Sequence, residues 1–115
     1  MKLYQVFLNL VDNALKHMGD VDQPIIEIVA SEEAGLVTFQ VSDNGEGIPK
    51  ELHKKIFEPF KHYSNRGSSG LGIGLATVKR AVEAWGGRVW VESKPREGTT
   101  FHFTVSTAGE RLLGM

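Results

Sequence analysis

The chain contains no cysteine. Disulfide frameworks, thiol nucleophiles and Cys-ligated zinc are therefore excluded, and the composition suits a reducing compartment. The chain also lacks any apolar run near the ~20 residues that a membrane-spanning helix needs. The apolar stretch at the N-terminus is broken by Gln5, Asn9 and Asp12, whereas a signal peptide keeps an uninterrupted core of roughly 7–15 residues. Neither sign of charge is in excess: 13 Lys and Arg against 14 Asp and Glu leave a formal net charge of −1. The basic footprint on which nucleic-acid binding relies is missing. These absences lead to the expectation of a soluble cytoplasmic domain with no nucleic-acid partner and no membrane contact of its own, even where a parent protein is membrane-anchored.

Familiar catalytic signatures are missing too. There is no G-x-x-x-x-G-K-[ST] phosphate loop, and the run from Gly70, GLGIGL, puts Leu75 where a dinucleotide fingerprint needs its third glycine. No H-E-x-x-H occurs, and His17, His53, His62 and His102 are scattered without metal-ligand spacing. No serine sits in a nucleophile elbow.

What the chain has in plenty is glycine, 13 of 115 residues against a usual share of about 7%. Six of them, Gly45, Gly47, Gly67, Gly70, Gly72 and Gly74, fall in one 30-residue stretch with no collagen period. The length suits one domain, and 41% hydrophobic residues are too many for a disordered chain. Residues 1–106 are expected to form that domain and residues 107–115 a tail.

Hydrophobic periodicity places the elements. Residues 1–18 read as a helix, with Gln5, Asn9, Asp12, Asn13 and Lys16 recurring every three or four residues as a narrow polar stripe. The remainder is so apolar that the helix is expected to be largely buried. Residues 23–43 alternate as a strand pair around a turn at Glu33, Ala34 and Gly35. Residues 43–49 have no period, a short helical piece is expected at 50–54, and residues 61–69 are polar. A helix over 72–85 is stopped by Gly86 and Gly87, and strands at 88–93 and 99–105 flank a turn through Pro95 and Gly98. This order predicts a two-layer α+β sandwich, with helices on one face of a mixed, mainly antiparallel sheet.

Three features carry chemistry. Asn9 and Asn13 lie one helical turn apart on one face. The plainer reading has them hydrogen-bonded to neighbouring backbone; the functional one uses an amide oxygen as a hard ligand for Mg²⁺, which takes few protein ligands, with Lys16 near the same phosphates. Asp43 opens the run DNGEG. A tight Asn-Gly hairpin is the plainer reading, but no second alternating strand follows. An ionised Asp at a strand end accepts hydrogen bonds only and suits the donating amine of adenine, with Gly45 and Gly47 making room for a flat base. Gly70, Gly72 and Gly74 open the second long helix. Each costs about 0.5–1 kcal/mol relative to alanine there, which close helix–sheet packing could explain, or a backbone brought up to phosphate at a helix start.

In this order the motifs resemble the ATP-binding catalytic domain of sensor histidine kinases, within the superfamily that includes DNA gyrase and the 90-kDa heat-shock chaperone. QVFLNLVDNALKH (5–17) resembles the N box, DNGEGIP (43–49) and GLGIGLATVK (70–79) the two glycine boxes, and IFEPF (56–60) the F box. GGRVWVES and EGTTFHFTV resemble the closing strands. The resemblance implies a Bergerat-type ATP-binding fold in a two-component signalling protein, with ATP and Mg²⁺ as cofactors. It implies Asn13 as Mg²⁺ ligand, Asn9 and Lys16 at phosphate or the reacting centre, and Asp43 on the adenine amine beside Gly45, Gly47 and Ile48. Gly70, Leu71, Gly72, Gly74 and Leu75 fall at the phosphate end, residues 61–69 form a lid in which Arg66 is the candidate γ-phosphate cation, and Phe57 and Phe60 brace the lid and a phosphoacceptor domain. The implied partners are that histidine-bearing dimerisation domain and a response regulator.

One position discriminates within the superfamily. ATPase branches carry a Glu four residues before the metal Asn as base for water; here Asn9 stands there and cannot take a proton. Phosphoryl transfer to a histidine needs no such base, which ranks a serine kinase or an ATPase below a histidine kinase, and the intact Asn13, Asp43, Gly70, Gly72 and Gly74 argue against a degenerate nucleotide-binding module. His17 stands where an aromatic is common. The chain begins at the N box, so a preceding strand and the phosphoacceptor hairpin are expected in a parent protein, and the fragment alone is not expected to autophosphorylate.

Overall fold

The computed structural model describes residues 1–58 and 74–106. The expected boxes or parts of boxes at 59–73, with Phe60, Arg66, Gly70, Leu71 and Gly72, and the tail at 107–115 lie outside these. Helix α1 spans Leu3–Lys16, strands β1 and β2 span Ile26–Glu33 and Leu36–Asp43, and helix α2 spans Gly74–Ala84. Strands β3 and β4 span Val89–Lys94 and Gly98–Ser106. Between β2 and α2 lie two single-turn 3₁₀ helices, Lys50–Leu52 and Lys55–Phe57, where the sequence pattern suggests one short helix.

The four strands lie in the order β1-β2-β4-β3. Every neighbouring pair is antiparallel, so the expected mixed sheet is, among the described residues, an antiparallel one. Short hairpin turns explain two of these pairs, β1–β2 and β3–β4, because such turns can only join antiparallel strands; β2 and β4 meet across the α2 connection. Ala34 and Gly35 turn β1 into β2 with positive φ, and Gln5 closes the start of α1 by accepting the Lys2 N–H at 2.7 Å.

The register puts one face of the sheet under the helices. Val41 lies beside Phe101, Phe39 beside Phe103, and Val37 beside Val105. Helix α1 lays Val6, Leu10 and Ala14 on this face and α2 adds Val78 and Val82. The ring of Phe7 meets Phe39 edge-on at 5.2 Å and Phe103 at 5.3 Å, while Phe39 and Phe103 stack at 5.1 Å. Such aromatic geometry adds about 0.5–1.5 kcal/mol per pair beyond area burial.

Helix α1 is less enclosed than its composition suggests. Leu8 and Leu15 are 62% and 61% exposed. Only the sheet and α2 cover it, so Tyr4, Leu8 and Leu15 fall on an arc that no described element reaches. On the opposite face of the sheet Trp90 stacks on His102 at 4.9 Å, and the Arg88 guanidinium sits 5.7 Å from the Trp90 ring.

Phe103 is fully buried and contacts both other rings. Phe103→Ala is expected to cost about 3–5 kcal/mol, read as a lowered midpoint of urea unfolding; a loss below about 1 kcal/mol would contradict this core assignment.

Candidate functional site

Asn9 and Asn13 project from one side of α1, half-buried. Among the described residues neither side chain hydrogen-bonds to any protein group, so the plainer reading, in which they satisfy nearby backbone, does not hold. A buried or half-buried amide without a partner costs free energy unless water or a ligand satisfies it. The first residue of α2 lies directly across. A Cβ added at Gly74 would come no closer than 3.8 Å to the Asn9 Oδ1, an ordinary contact. Packing within the described chain therefore does not require glycine there.

Asp43 ends β2, opposite Ile26 on one side and Thr99 on the other. No hairpin follows it; the chain leaves the sheet for the 3₁₀ turns. Its Oδ1 accepts the Gly45 N–H at 2.8 Å. Desolvation by burial pushes the carboxyl above its ordinary 3.8, against the opposing pull of the Gly45 and Thr99 N–H groups. The next residue, Asn44, ties down the start of the neighbouring strand: its Oδ1 accepts from the Ile25 N–H and its Nδ2 donates to the Gln23 carbonyl, both at 2.8 Å.

The glycines after Asp43 have a physical reason within the fold itself. A Cβ at Gly45 would lie 2.9 Å from the His17 carbonyl and 3.0 Å from the Met18 Cα. At Gly47, with φ at +76°, it would collide with the Lys94 carbonyl. Both glycines thus admit the protein's own backbone: the turn is pressed between the end of α1 and the β3–β4 turn. Backbone bonds hold it on both sides, from Glu46 N–H to the His17 carbonyl at 3.4 Å and from Arg96 N–H to the Glu46 carbonyl at 2.7 Å.

Ile48 is only 1% exposed. Its side chain belongs to the core cluster, beneath the turn. Lys16 points along the exposed end of α1 and pairs with Asp12 at 3.0 Å. An exposed i,i+4 pair is worth only about 0.3–0.5 kcal/mol, so it does not commit Lys16. Phe57 stands edge-on to Phe101 with centroids 6.2 Å apart, and Leu75 packs against the core.

The sequence pattern gave no hint of Ser93. Its hydroxyl accepts the Ile48 N–H at 2.7 Å and donates to the Gly98 carbonyl at 2.8 Å, with Thr99 Oγ1 also 2.8 Å away. It joins the end of the glycine turn to the β3–β4 hairpin across 45 residues of sequence, and no local spacing announces such a contact.

The polar side of α1 thus runs from Gly74, beside Asn9, to the Asp43–Gly47 turn, beside His17. These ends are eight residues or roughly 12 Å apart along the helix, with Asn13 midway. The described residues thus form a two-layer α+β sandwich with an amide row, a strand-end carboxylate and a glycine-started helix along one side of α1.

The sequence profile of the histidine kinase-, DNA gyrase B- and HSP90-like ATPases matches residues 1–109, and the chain belongs to that family. The methanogenesis regulatory histidine kinase FilI of Methanothrix harundinacea is 38% identical over 93% of this chain and 12% of its own length. The adaptive-response sensory kinase SasA of Prochlorococcus marinus is 42% identical over 96% of this chain and 29% of its own. Among solved structures, the catalytic domain of histidine kinase ThkA superposes with a TM-score of 0.74 at 33% identity, covering 90% of this chain and 64% of that one. Full-length ShkA in complex with AMPPNP gives 0.77 at 34% identity, over 90% of this chain and 21% of that one. The chain spans less than a third of the length of these curated relatives. The domain type is that of the ATP-binding catalytic domain of sensor histidine kinases. Among the described residues no helix is long and apolar enough to cross a membrane.

Because burial raises the Asp43 pKa, the folded chain binds that proton more tightly than the unfolded chain does. Stability therefore falls as pH rises from 3.8 through the raised value, and the full cost stands at neutral pH. Asp43→Asn, which keeps an acceptor for Gly45, is expected to raise the thermal midpoint at pH 7 and to lose that advantage below the window. An advantage that is absent at pH 7, or that persists unchanged at low pH, would show that desolvation of Asp43 is not the cause.

Proposed function

We propose that this domain binds Mg-ATP along the polar side of α1 and passes the γ-phosphoryl group to a histidine on a separate helical dimerisation domain. The carrying observation is the pair of unengaged amides, with Asn9 facing the first residue of α2. Asp43 accepts from the exocyclic amine of adenine; guanine presents an acceptor there and is disfavoured. Asn9 and Lys16 contact the phosphate chain, and Gly74 lets the start of α2 approach it, where free N–H groups favour anions. Gly45, Gly47, Phe57 and Leu75 shape the walls.

The donor set fits a hard divalent cation, since the Asn13 carbonyl oxygen is half-buried and unpaired among the described residues. When bound, Mg²⁺ supplies charge neutralisation on the phosphate oxygens. The protein's part is positioning. In the transfer the γ-phosphorus loses its bond to the β–γ bridging oxygen, which leaves with ADP, and gains a bond to an imidazole nitrogen. Asn9 orients without accepting a proton, so water at the γ-phosphate is not activated and transfer is favoured over hydrolysis. The 61–69 lid with Arg66, the phosphate contacts of Gly70, Leu71 and Gly72, and the Phe60 brace belong to the same proposal, as does a response regulator that receives the phosphoryl group.

Asp43→Ala is expected to weaken ATP binding by roughly 1.5–3 kcal/mol, about 10- to 150-fold, in a calorimetric titration; unchanged affinity would remove Asp43 from the base. Asn13→Ala is expected to abolish the dependence of ATP affinity on Mg²⁺, and retention of that dependence would place the cation elsewhere. Mixing the chain and Mg-ATP with the histidine-bearing hairpin of a parent kinase is expected to give an acid-labile phosphoprotein. Phosphate released to water at the same rate with and without the hairpin would point to an ATPase.

A further inference from the structure

A second concave surface lies at the far edge of the sheet, away from the α1 amides. Phe57, Val89, Trp90 and Val91 give a groove of about 510 Å³ its apolar lining, and Lys54, His53 and Lys79 join them, with Glu58 as the single carboxylate. Among the described residues, neither Lys54 nor Lys79 forms an ion pair. The groove therefore combines an apolar lining with two lysines and one carboxylate.

The strand beside it is a sheet edge. Among the described residues β3 pairs with β4 alone, as the last strand of the order. Thr104 N–H donates to the Arg88 carbonyl at 2.9 Å, which makes Arg88 and Thr104 a hydrogen-bonded pair. By the alternation of an antiparallel ladder, Trp90 and Glu92 also bond inward to β4, while the N–H and C=O of Val89 and Val91 point outward. Neither residue has a backbone partner on that side among the described residues. Val89 and Val91, two of the residues that line the groove, thus have backbone groups open for pairing. The opposite edge, β1, carries Glu27, Glu32 and Glu33, charges that discourage strand addition, and it has no comparable cationic wall.

We infer that the β3 edge is a docking site for an extended acidic peptide segment of a partner protein, added as a fifth strand beside Val89–Val91. Main-chain bonds to Val89 and Val91 supply affinity, and the period of two supplies specificity. Two alternate side chains of the segment face the groove: one is apolar and rests on Phe57 and the two valines, and the other, two positions away, is a carboxylate between Lys54 and Lys79. A helix cannot add to this sheet edge, because its own backbone groups are already paired. The segment is therefore distinct from any helical hairpin that receives the phosphoryl group, and the groove shares only Phe57 with the proposed ATP site.

Selection of a phage-displayed library of random twelve-residue peptides on the whole chain tests this. Enriched peptides are expected to carry an Asp or Glu two positions from an apolar residue. A synthetic consensus peptide, followed by fluorescence polarisation, is expected to bind Lys54→Glu/Lys79→Glu about tenfold or more weakly, and to weaken with salt. Val91→Pro removes only an outward N–H, which a proline on an edge strand tolerates, and it is expected to cause a similar loss. Thermal melting by circular dichroism checks that each variant is folded, and the charge-reversal pair keeps the test decisive should the proline variant unfold. The inference is overturned by an enriched set without that spacing, by equal binding of the folded double variant, or by equal binding of a peptide with Lys replacing its acidic residue.

Discussion

The rest of the structure depends on one close approach: the Gly45–Gly47 turn wedged between the end of α1 and the β3–β4 turn. A side chain at Gly45 would meet the backbone of His17 and Met18, and one at Gly47 would strike the carbonyl of Lys94. The Glu46 backbone is bonded to both neighbours. This contact sets where α1 ends relative to the sheet edge, and so which side of the helix faces Asp43. Ser93 and Asn44 lock the turn from below and beside it. The aromatic cluster of Phe7, Phe39 and Phe103 then fixes the roll of α1, leaving Asn9 beside the first residue of α2.

Fold and site are in tension at the same residues. Asp43 is held where burial works against its charge, and the two amides of α1 have no protein partner among the described residues. Neither is the cheapest choice for stability alone. Groups left short of partners beside a glycine-started helix are where a polar ligand recovers free energy that the fold leaves unclaimed. The same logic at the other end of the molecule makes the open backbone of Val89 and Val91 notable beside the unpaired lysines.

Much of this was legible in the residues. The strict alternation of 36–43 and of the closing strands marked the sheet, and the three-and-four spacing of Gln5, Asn9, Asn13 and Lys16 marked the polar side of α1. Asp43 at a strand end and no hairpin after it also followed, because Ile48, Pro49 and Lys50 break the alternation. Other features were not legible. The burial of α1 was overrated, since composition counts apolar residues but not the elements available to cover them; Leu8 and Leu15 are exposed for that reason. Ile48 looked like part of a binding turn and is core. Ser93 was invisible because its partners are distant in sequence.

The sequence by itself determined the local periods, the positions of the turns, the family and the residue types available for nucleotide chemistry, because each of these is encoded within a few neighbouring residues. Only the tertiary structure decided what the glycines are for, which amides stand open and which sheet edge is bare. Those outcomes depend on which backbone arrives opposite a given residue, and that is set by packing between segments tens of residues apart. Gly45 and Gly47 show the difference most clearly: the pattern says that something must come close, and the fold shows that the something is the chain's own backbone.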